Sequence, residues 1–197
     1  MGIARYRERK VLRYPTPIEL TKIAQAIDEL EVEGKLNQFF AAGARVLMMT
    51  GARRSEIFEA QWSFLDSERI ELVLPDSKTD EKIISLPEFA LEIILGLPRL
   101  ADCRWIFPST KTEQPFVNFG AQWKPVLERA GVGHWRLHDM RHGFASAAVN
   151  AGAPLYVVGQ HLGHARPTTT ARYAHVADDP KRKVVETVVE LLRRVPK

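Results

Sequence analysis

The chain has 197 residues, 45% of them apolar, and 28 Lys and Arg against 24 Asp and Glu give a net charge of +4. That length and apolar content fit one domain with a sizeable core, or one domain and a small appendage, and the modest cationic excess admits a polyanionic partner without requiring one. A lone cysteine (Cys103), a charged N-terminus without a secretory signal, and apolar runs interrupted at Arg45 and Glu92 exclude a disulfide-built secreted scaffold and a membrane-spanning protein, so a soluble cytoplasmic protein is expected.

In chain order, Arg5, Arg7, Arg9, Lys10 and Arg13 oppose only Glu8 and are closed by Pro15 and Pro17, which reads as a basic extended arm or linker over 1–16. Thr16-Pro17 is a helix start, and Leu20, Ile23, Ile27 and Leu30 give the helix one apolar face up to Glu33-Gly34. Leu36, Phe39, Phe40, Gly43, Val46 and Leu47 repeat at helical spacing, with Gly51 as a C-terminal stop. A short helix is expected from Ala52 to about Trp62 with Arg53 in its first turn, where free N–H groups favour an anion.

Residues 68–87 change to strand character. Ile70, Leu72 and Leu74 alternate, Ile83, Ile84 and Leu86 form a second run, and Pro75 to Asp80 makes a turn with Lys78 near its tip. Helix returns over 88–97, and 98–117 is irregular, anchored by Trp105, Phe107 and Phe116. Phe119 to Ala130 is helical up to Gly131, with Pro125 as a point of kinking. His138 opens a helix through Asn150 with Met140, Phe144, Ala147 and Ala148 as its buried stripe. Pro154 to Leu162 is a further short helix, and Pro167 begins a turn into Tyr173. Asp179 to Val195 is an amphipathic helix with Val184, Val185, Val188, Val189 and Leu192 on one side. The fold class expected is mainly α with one small antiparallel β-sheet.

Five of the six histidines fall between Leu137 and His175, in the same stretch as Arg141 and Tyr173. The spacings of His138 with His142 and of His161 with His164 fit a metal site, but no Glu lies within the His-x-x-x-His run and Cys103 is remote, so no metal is assigned. Imidazoles, a guanidinium and a phenol together suit phosphate chemistry.

The order Thr50-Gly51-Ala52-Arg53-Arg54-Ser55-Glu56-Ile57, Lys78-Thr79, His138-Asp139-Met140-Arg141-His142, Leu162-Gly163-His164 and Thr169-Thr170-Ala171-Arg172-Tyr173-Ala174-His175 closely resembles the catalytic domain of the tyrosine recombinase, or phage integrase, family over roughly residues 15–190. The resemblance implies catalytic roles for Arg53, Lys78, His138, Arg141, His164 and Tyr173. Tyr173 would be the nucleophile. Arg53, Arg141 and His164 would bind the scissile phosphate, and Glu56 and His142 would support the site. It implies metal-independent cleavage and rejoining of DNA strands through a 3′-phosphotyrosine, with no cofactor, double-stranded DNA as partner, and a homo-oligomer, expected to be a tetramer, on that DNA. The rival readings are a type IB topoisomerase-like strand transferase, disfavoured by the Leu-Gly-His and Thr-Thr-x-x-Tyr-x-His runs, a non-cleaving DNA-binding relative, and a metal-dependent nuclease.

The chain departs from the family pattern at Gly143, often Thr, and at Ala165-Arg166, a pair often containing serine. The family usually carries a helical core-binding domain ahead of the catalytic one, and residues 1–16 resemble the linker between them. The expected organisation is therefore a linker over 1–16, a catalytic domain over 17–178 without the core-binding domain, and a C-terminal amphipathic helix over 179–197, which the resemblance implies packs on a neighbouring protomer, with docking on its own domain as the alternative.

Overall fold

The computed structural model describes residues 13–75, 82–109, 114–163, 167–171 and 173, and places eight α-helices and a three-stranded sheet among them. Helix α1 (Pro17–Val32) begins where the sequence predicts it. Thr16 Oγ1 accepts the Glu19 N–H at 3.2 Å, and Glu19 Oε2 accepts the Thr16 N–H at 2.9 Å, so each end of the motif satisfies a donor on the other. Helix α2 (Gln38–Thr50) is capped by Asn37, whose side chain accepts from the N–H groups of Phe39 and Phe40. It ends at Gly51, where φ is 62°, a left-handed conformation that costs a side-chain-bearing residue energy. Space also demands glycine there, because a Cβ would lie 2.5 Å from Phe144 Cδ1.

Helix α2 is buried on nearly every side, from Phe39 through Thr50, because α1, α3, α4 and α6 pack around it. Phe58 of α3 (Arg54–Phe58) reaches α2 at Gly43, where a Cβ would sit 2.6 Å from the Phe58 ring. Each fully buried Phe or Leu of this kind contributes about 1.5–3 kcal/mol relative to exposure. Helix α3 spans only five residues and stops well short of Trp62. Bonds from the irregular 98–117 segment replace the helical ones: Ile106 N–H donates to the Ala60 carbonyl at 3.0 Å and Trp62 N–H to the Arg104 carbonyl at 2.9 Å. Arg53 is consequently the N-cap of α3 and lies just ahead of its first turn.

The sheet contains β1 (Leu65–Asp66), β2 (Glu71–Leu74) and β3 (Lys82–Ser85), antiparallel in that order, with Leu65 opposite Leu72, Leu72 opposite Ile84 and Leu74 opposite Lys82. Strands β2 and β3 are the expected pair. Strand β1 is too short to show alternation in sequence. Ile70, expected inside a strand, sits in the turn before β2 at φ 57°. The Asp66 side chain closes that turn by accepting from the N–H groups of Glu68 and Arg69.

Helices α4 (Glu88–Leu95) and α5 (Phe119–Ala130) complete the larger core with α1 and α2, and α5 closes on Gly131. Helix α6 (Asp139–Asn150) corrects the predicted stripe. Met140, Arg141, Gly143, Ala145, Ser146 and Val149 are buried, whereas Phe144, Ala147 and Ala148 are half-buried. The reason is that α6 lies between two clusters. Met140 joins the larger core, while Ala145 and Val149 join a second cluster of Tyr14, Val158, Leu162 and Tyr173. Helices α7 (Leu155–His161) and α8 (Pro167–Ala171) pack on each other beside it. Most of the basic arm, the turn holding Lys78, His164, and the 179–197 stretch lie outside the described residues. No helix among those described is long and apolar enough to cross a membrane.

Candidate active site

The site forms where the N-terminus of α3, the N-terminus of α6, the end of α7 and strand β3 converge. Arg53 sits at the α3 N-cap with its side chain 53% exposed. Glu56, three residues on, reaches back: its Oε2 accepts the Arg53 N–H at 2.7 Å and its Oε1 accepts Arg53 Nη1 at 3.0 Å. Lys82 of β3 donates from Nζ to the same Oε1 at 2.5 Å. Burial pushes the Glu56 carboxyl up, but the Lys82 hydrogen bond, the Arg53 N–H and both charges prevail and hold it below the ordinary glutamate value. Burial pushes Lys82 down, Glu56 pulls it back, and Arg53 and Arg141 leave it below the ordinary lysine value.

Arg141, on the first turn of α6, is 4% exposed. Its Nη1 donates to the Gly51 carbonyl at 2.9 Å and its Nη2 to the Leu162 carbonyl at 2.5 Å, so one guanidinium joins the ends of α2 and α7. His161 supports the same junction from α7, with Nε2 donating to the Thr50 carbonyl at 2.7 Å and its ring stacked on Phe144. His138 sits at the N-cap position of α6 and, with Arg53, Arg54, Ser55 and Arg136, lines an open cleft of about 510 Å³. Desolvation and then the charge of Arg141 push the His138 imidazolium down, against the opposing pull of Asp139. The balance favours the neutral imidazole, whose lone pair can accept a proton.

Tyr173 is 1% exposed, and its hydroxyl lies 2.6 Å from His142 Nδ1. Tyr14, immediately before α1, packs on both rings, with centroids 5.2 Å from Tyr173 and 5.4 Å from His142. His142 in turn meets His138 edge-on at 5.5 Å. The chain thus brings together Arg53, Glu56, His138, Arg141, His142 and Tyr173, while Lys78, His164 and His175 fall outside the described residues. Among the described residues, no three His, Cys, Asp or Glu side chains are grouped as a metal site would need.

The sequence profile of the Phage integrase family matches residues 16–179. The chain belongs to that family. It is 30% identical over 188 residues to the integrase of Salmonella phage P22, covering 86% of this chain and 45% of that protein. It is 25% identical over 205 residues to the tyrosine recombinase XerD of Rhizobium meliloti (strain 1021), covering 96% and 66%. The chain therefore spans between about half and two thirds of the length of these curated relatives. Among solved structures, XerA recombinase superposes with a TM-score of 0.72 at 21% identity, over 99% of this chain and 68% of that one. The catalytic domain of bacteriophage HP1 integrase superposes with a TM-score of 0.62 at 20% identity, over 89% and 94%. The fold is that of the tyrosine recombinase catalytic domain.

Two features of this phage integrase family member were not singled out from sequence. Arg54 and Arg136 extend the cationic cleft. The Arg54 guanidinium stacks 4.7 Å from the Phe119 ring centre, and Arg136 is tied to Asp139, with Nη2 to Oδ1 at 3.0 Å. Lys82 is the other. The signal for it was present, since Lys82 shares its strand face with the buried Ile84, and a lysine in phase with core-facing residues is a charge directed inward.

Proposed function

We propose that this chain is the catalytic domain of a site-specific DNA recombinase or integrase, which cuts and rejoins DNA strands through a 3′-phosphotyrosine without a metal ion. The observation that carries the reading is the buried Arg141 guanidinium, close enough to Arg53 and His138 for their charges to act on one another, with the Tyr173 hydroxyl held on the next residue, His142. Phosphodiester transfer without a metal requires cations to balance charge on the pentacoordinate transition state, and paired arginines supply planar donors for non-bridging oxygens.

In this reading the Tyr173 oxygen attacks the scissile phosphorus, the P–O5′ bond breaks, and the 5′-hydroxyl leaves. A phenol with a pKa of about 10 is ionised in only about one molecule in a thousand at neutral pH, so it needs a base. His142 holds the hydroxyl, and neutral His138 accepts its proton. The leaving oxygen takes a proton from Lys78, the residue the family pattern assigns as the acid, and His164 completes the phosphate contacts. A 5′-hydroxyl from another strand then attacks the phosphotyrosine and reseals the backbone with no external energy source.

The organisation follows: a linker over 1–16, a catalytic domain over 17–178, and a 179–197 helix that docks on a neighbouring protomer of a tetramer assembled on DNA, in the cytoplasm. The test is a pool of nicked suicide duplexes with randomised core sequence. The chain is expected to form a covalent protein–DNA adduct resistant to denaturing gel electrophoresis, in the presence of chelator. An adduct that persists in Tyr173→Phe, or none from the native chain on any duplex, would defeat the reading.

A further inference from the structure

Glu56 Oε1 is shared between two cations, Arg53 Nη1 at 3.0 Å from its own helix and Lys82 Nζ at 2.5 Å from β3. An exposed i,i+3 arginine–glutamate pair contributes little by itself and pivots freely. Lys82 changes that geometry, because it is 23% exposed, lies on a paired strand, and approaches the carboxylate from a different element. With Oε1 engaged by Lys82 and Oε2 by the Arg53 backbone, Arg53 commits only Nη1 to Glu56, and Nε and Nη2 stay available to a ligand. Lys82 also lies against the turn at the end of α7. A Cβ on Gly163, one residue after the Leu162 carbonyl that accepts from Arg141, would be 3.8 Å from Lys82 Nζ.

Charge gives the same answer. Lys82 interacts electrostatically with Glu56, Arg53 and Arg141, so three cations face one carboxylate at this point. The surplus of two positive charges matches the dianionic transition state of phosphodiester attack, and removing Lys82 halves it.

We propose that Lys82 is a positioning residue of the strand-transfer site: by gripping Glu56 from β3 it sets the orientation of Arg53 and maintains the cationic surplus at the scissile phosphate. This rests on the strand-transfer reading. Lys82 itself neither attacks nor donates the proton to the leaving oxygen. Its effect travels through Glu56, whose titration it controls together with Arg53.

The experiment compares the native chain with Lys82→Met, which keeps the length and removes the charge, and Lys82→Arg, which restores it. Adduct formation is followed on the randomised nicked-duplex pool across pH 3–8, and the Glu56 carboxyl is titrated by NMR. Lys82→Met is expected to slow cleavage about tenfold or more at pH 7, as loss of an outer partner of a functional group typically does, with duplex Kd changed less than about twofold. Its acid limb should move to higher pH, because Glu56 loses a cation that held its carboxyl down. Lys82→Arg should recover most of the rate and return the limb. A slowed Lys82→Met with an unmoved limb and an unmoved Glu56 titration overturns the proposal, and so does native-like cleavage. Should Lys82→Met fail to fold, the native chain still decides, since a Glu56 carboxyl titrating at or above the ordinary glutamate value there overturns it. A native chain that forms no adduct overturns the strand-transfer reading itself, whereas an unmoved Glu56 titration overturns the role of Lys82 alone.

Discussion

Removing the Arg141 guanidinium would strip donors from two carbonyls at once, Gly51 and Leu162, where α2 and α7 end. Leaving buried acceptors unsatisfied costs about 1–3 kcal/mol each, so Arg141→Ala should destabilise the chain by about 2–6 kcal/mol in denaturant melts. It should also lower adduct formation by about 10²–10³-fold, the usual loss for a preorganised charge donor. Arg141→Lys separates these effects, because a point ammonium cannot span both carbonyls as a planar fork does. It is expected to recover part of the stability and little of the cleavage, and equal recovery of both would argue against a phosphate-facing role. The family pattern marks Arg141 for its chemistry, but nothing in the sequence shows that the same side chain staples two helix ends. That second function depends on where Gly51 and Leu162 stop their helices.

At the scale of elements, what could be read from sequence follows how local each signal is. Helix α2 was legible because its pattern and its glycine stop are contiguous in sequence. The β2–β3 pair was legible from two apolar runs around a turn. The end of α3 was not, because the bonds that replace its last turn come from Arg104 and Ile106, more than forty residues away. The stripe on α6 was misread for a related reason: a helix wedged between two clusters has two buried faces, and periodicity reports one. Of the candidate site, the motif residues were visible and Lys82 was not, since strand phase discloses an inward charge only once Ile84 is known to be buried. The junction of α2 and α6 gives a prediction at this scale. Gly51→Ala forces a side chain into φ 62° and onto Phe144, combining a left-handed penalty of about 1–2 kcal/mol with overpacking of about 1–3 kcal/mol. Thermal melts should show a loss of about 2–5 kcal/mol, and a neutral result would mean that the α2 terminus relaxes freely.

Across the whole molecule, α1 is held on one side by α5 and on the other by the residues ahead of it. Arg129 of α5 donates to Glu29 Oε2 at 2.9 Å and to both Glu33 oxygens at 2.8 and 2.9 Å. Hydrogen bonds from Arg129 and Lys35 bring the Glu33 carboxyl from 4.5 down to about 2. A carboxyl depressed on folding stabilises the fold above its unfolded value and stops doing so as pH falls through its folded value. The Tm difference between the native chain and Arg129→Ala should therefore be fully open above about pH 5, close between pH 4.5 and 2, and shrink with added salt because the clamp lies at the surface. A difference independent of pH would assign the clamp to packing. On the other side, Arg13 stacks over Trp135 and pairs with Glu19 of the α1 cap, and Tyr14 lies on Tyr173 and His142. Trimming therefore meets two different boundaries. A chain cut back to Thr16 keeps every residue of the α1 cap, yet it has already lost the ring lying over Tyr173. Pieces beginning at Tyr14 and at Thr16 thus differ by two residues and by whether a ring still covers the Tyr173 side chain.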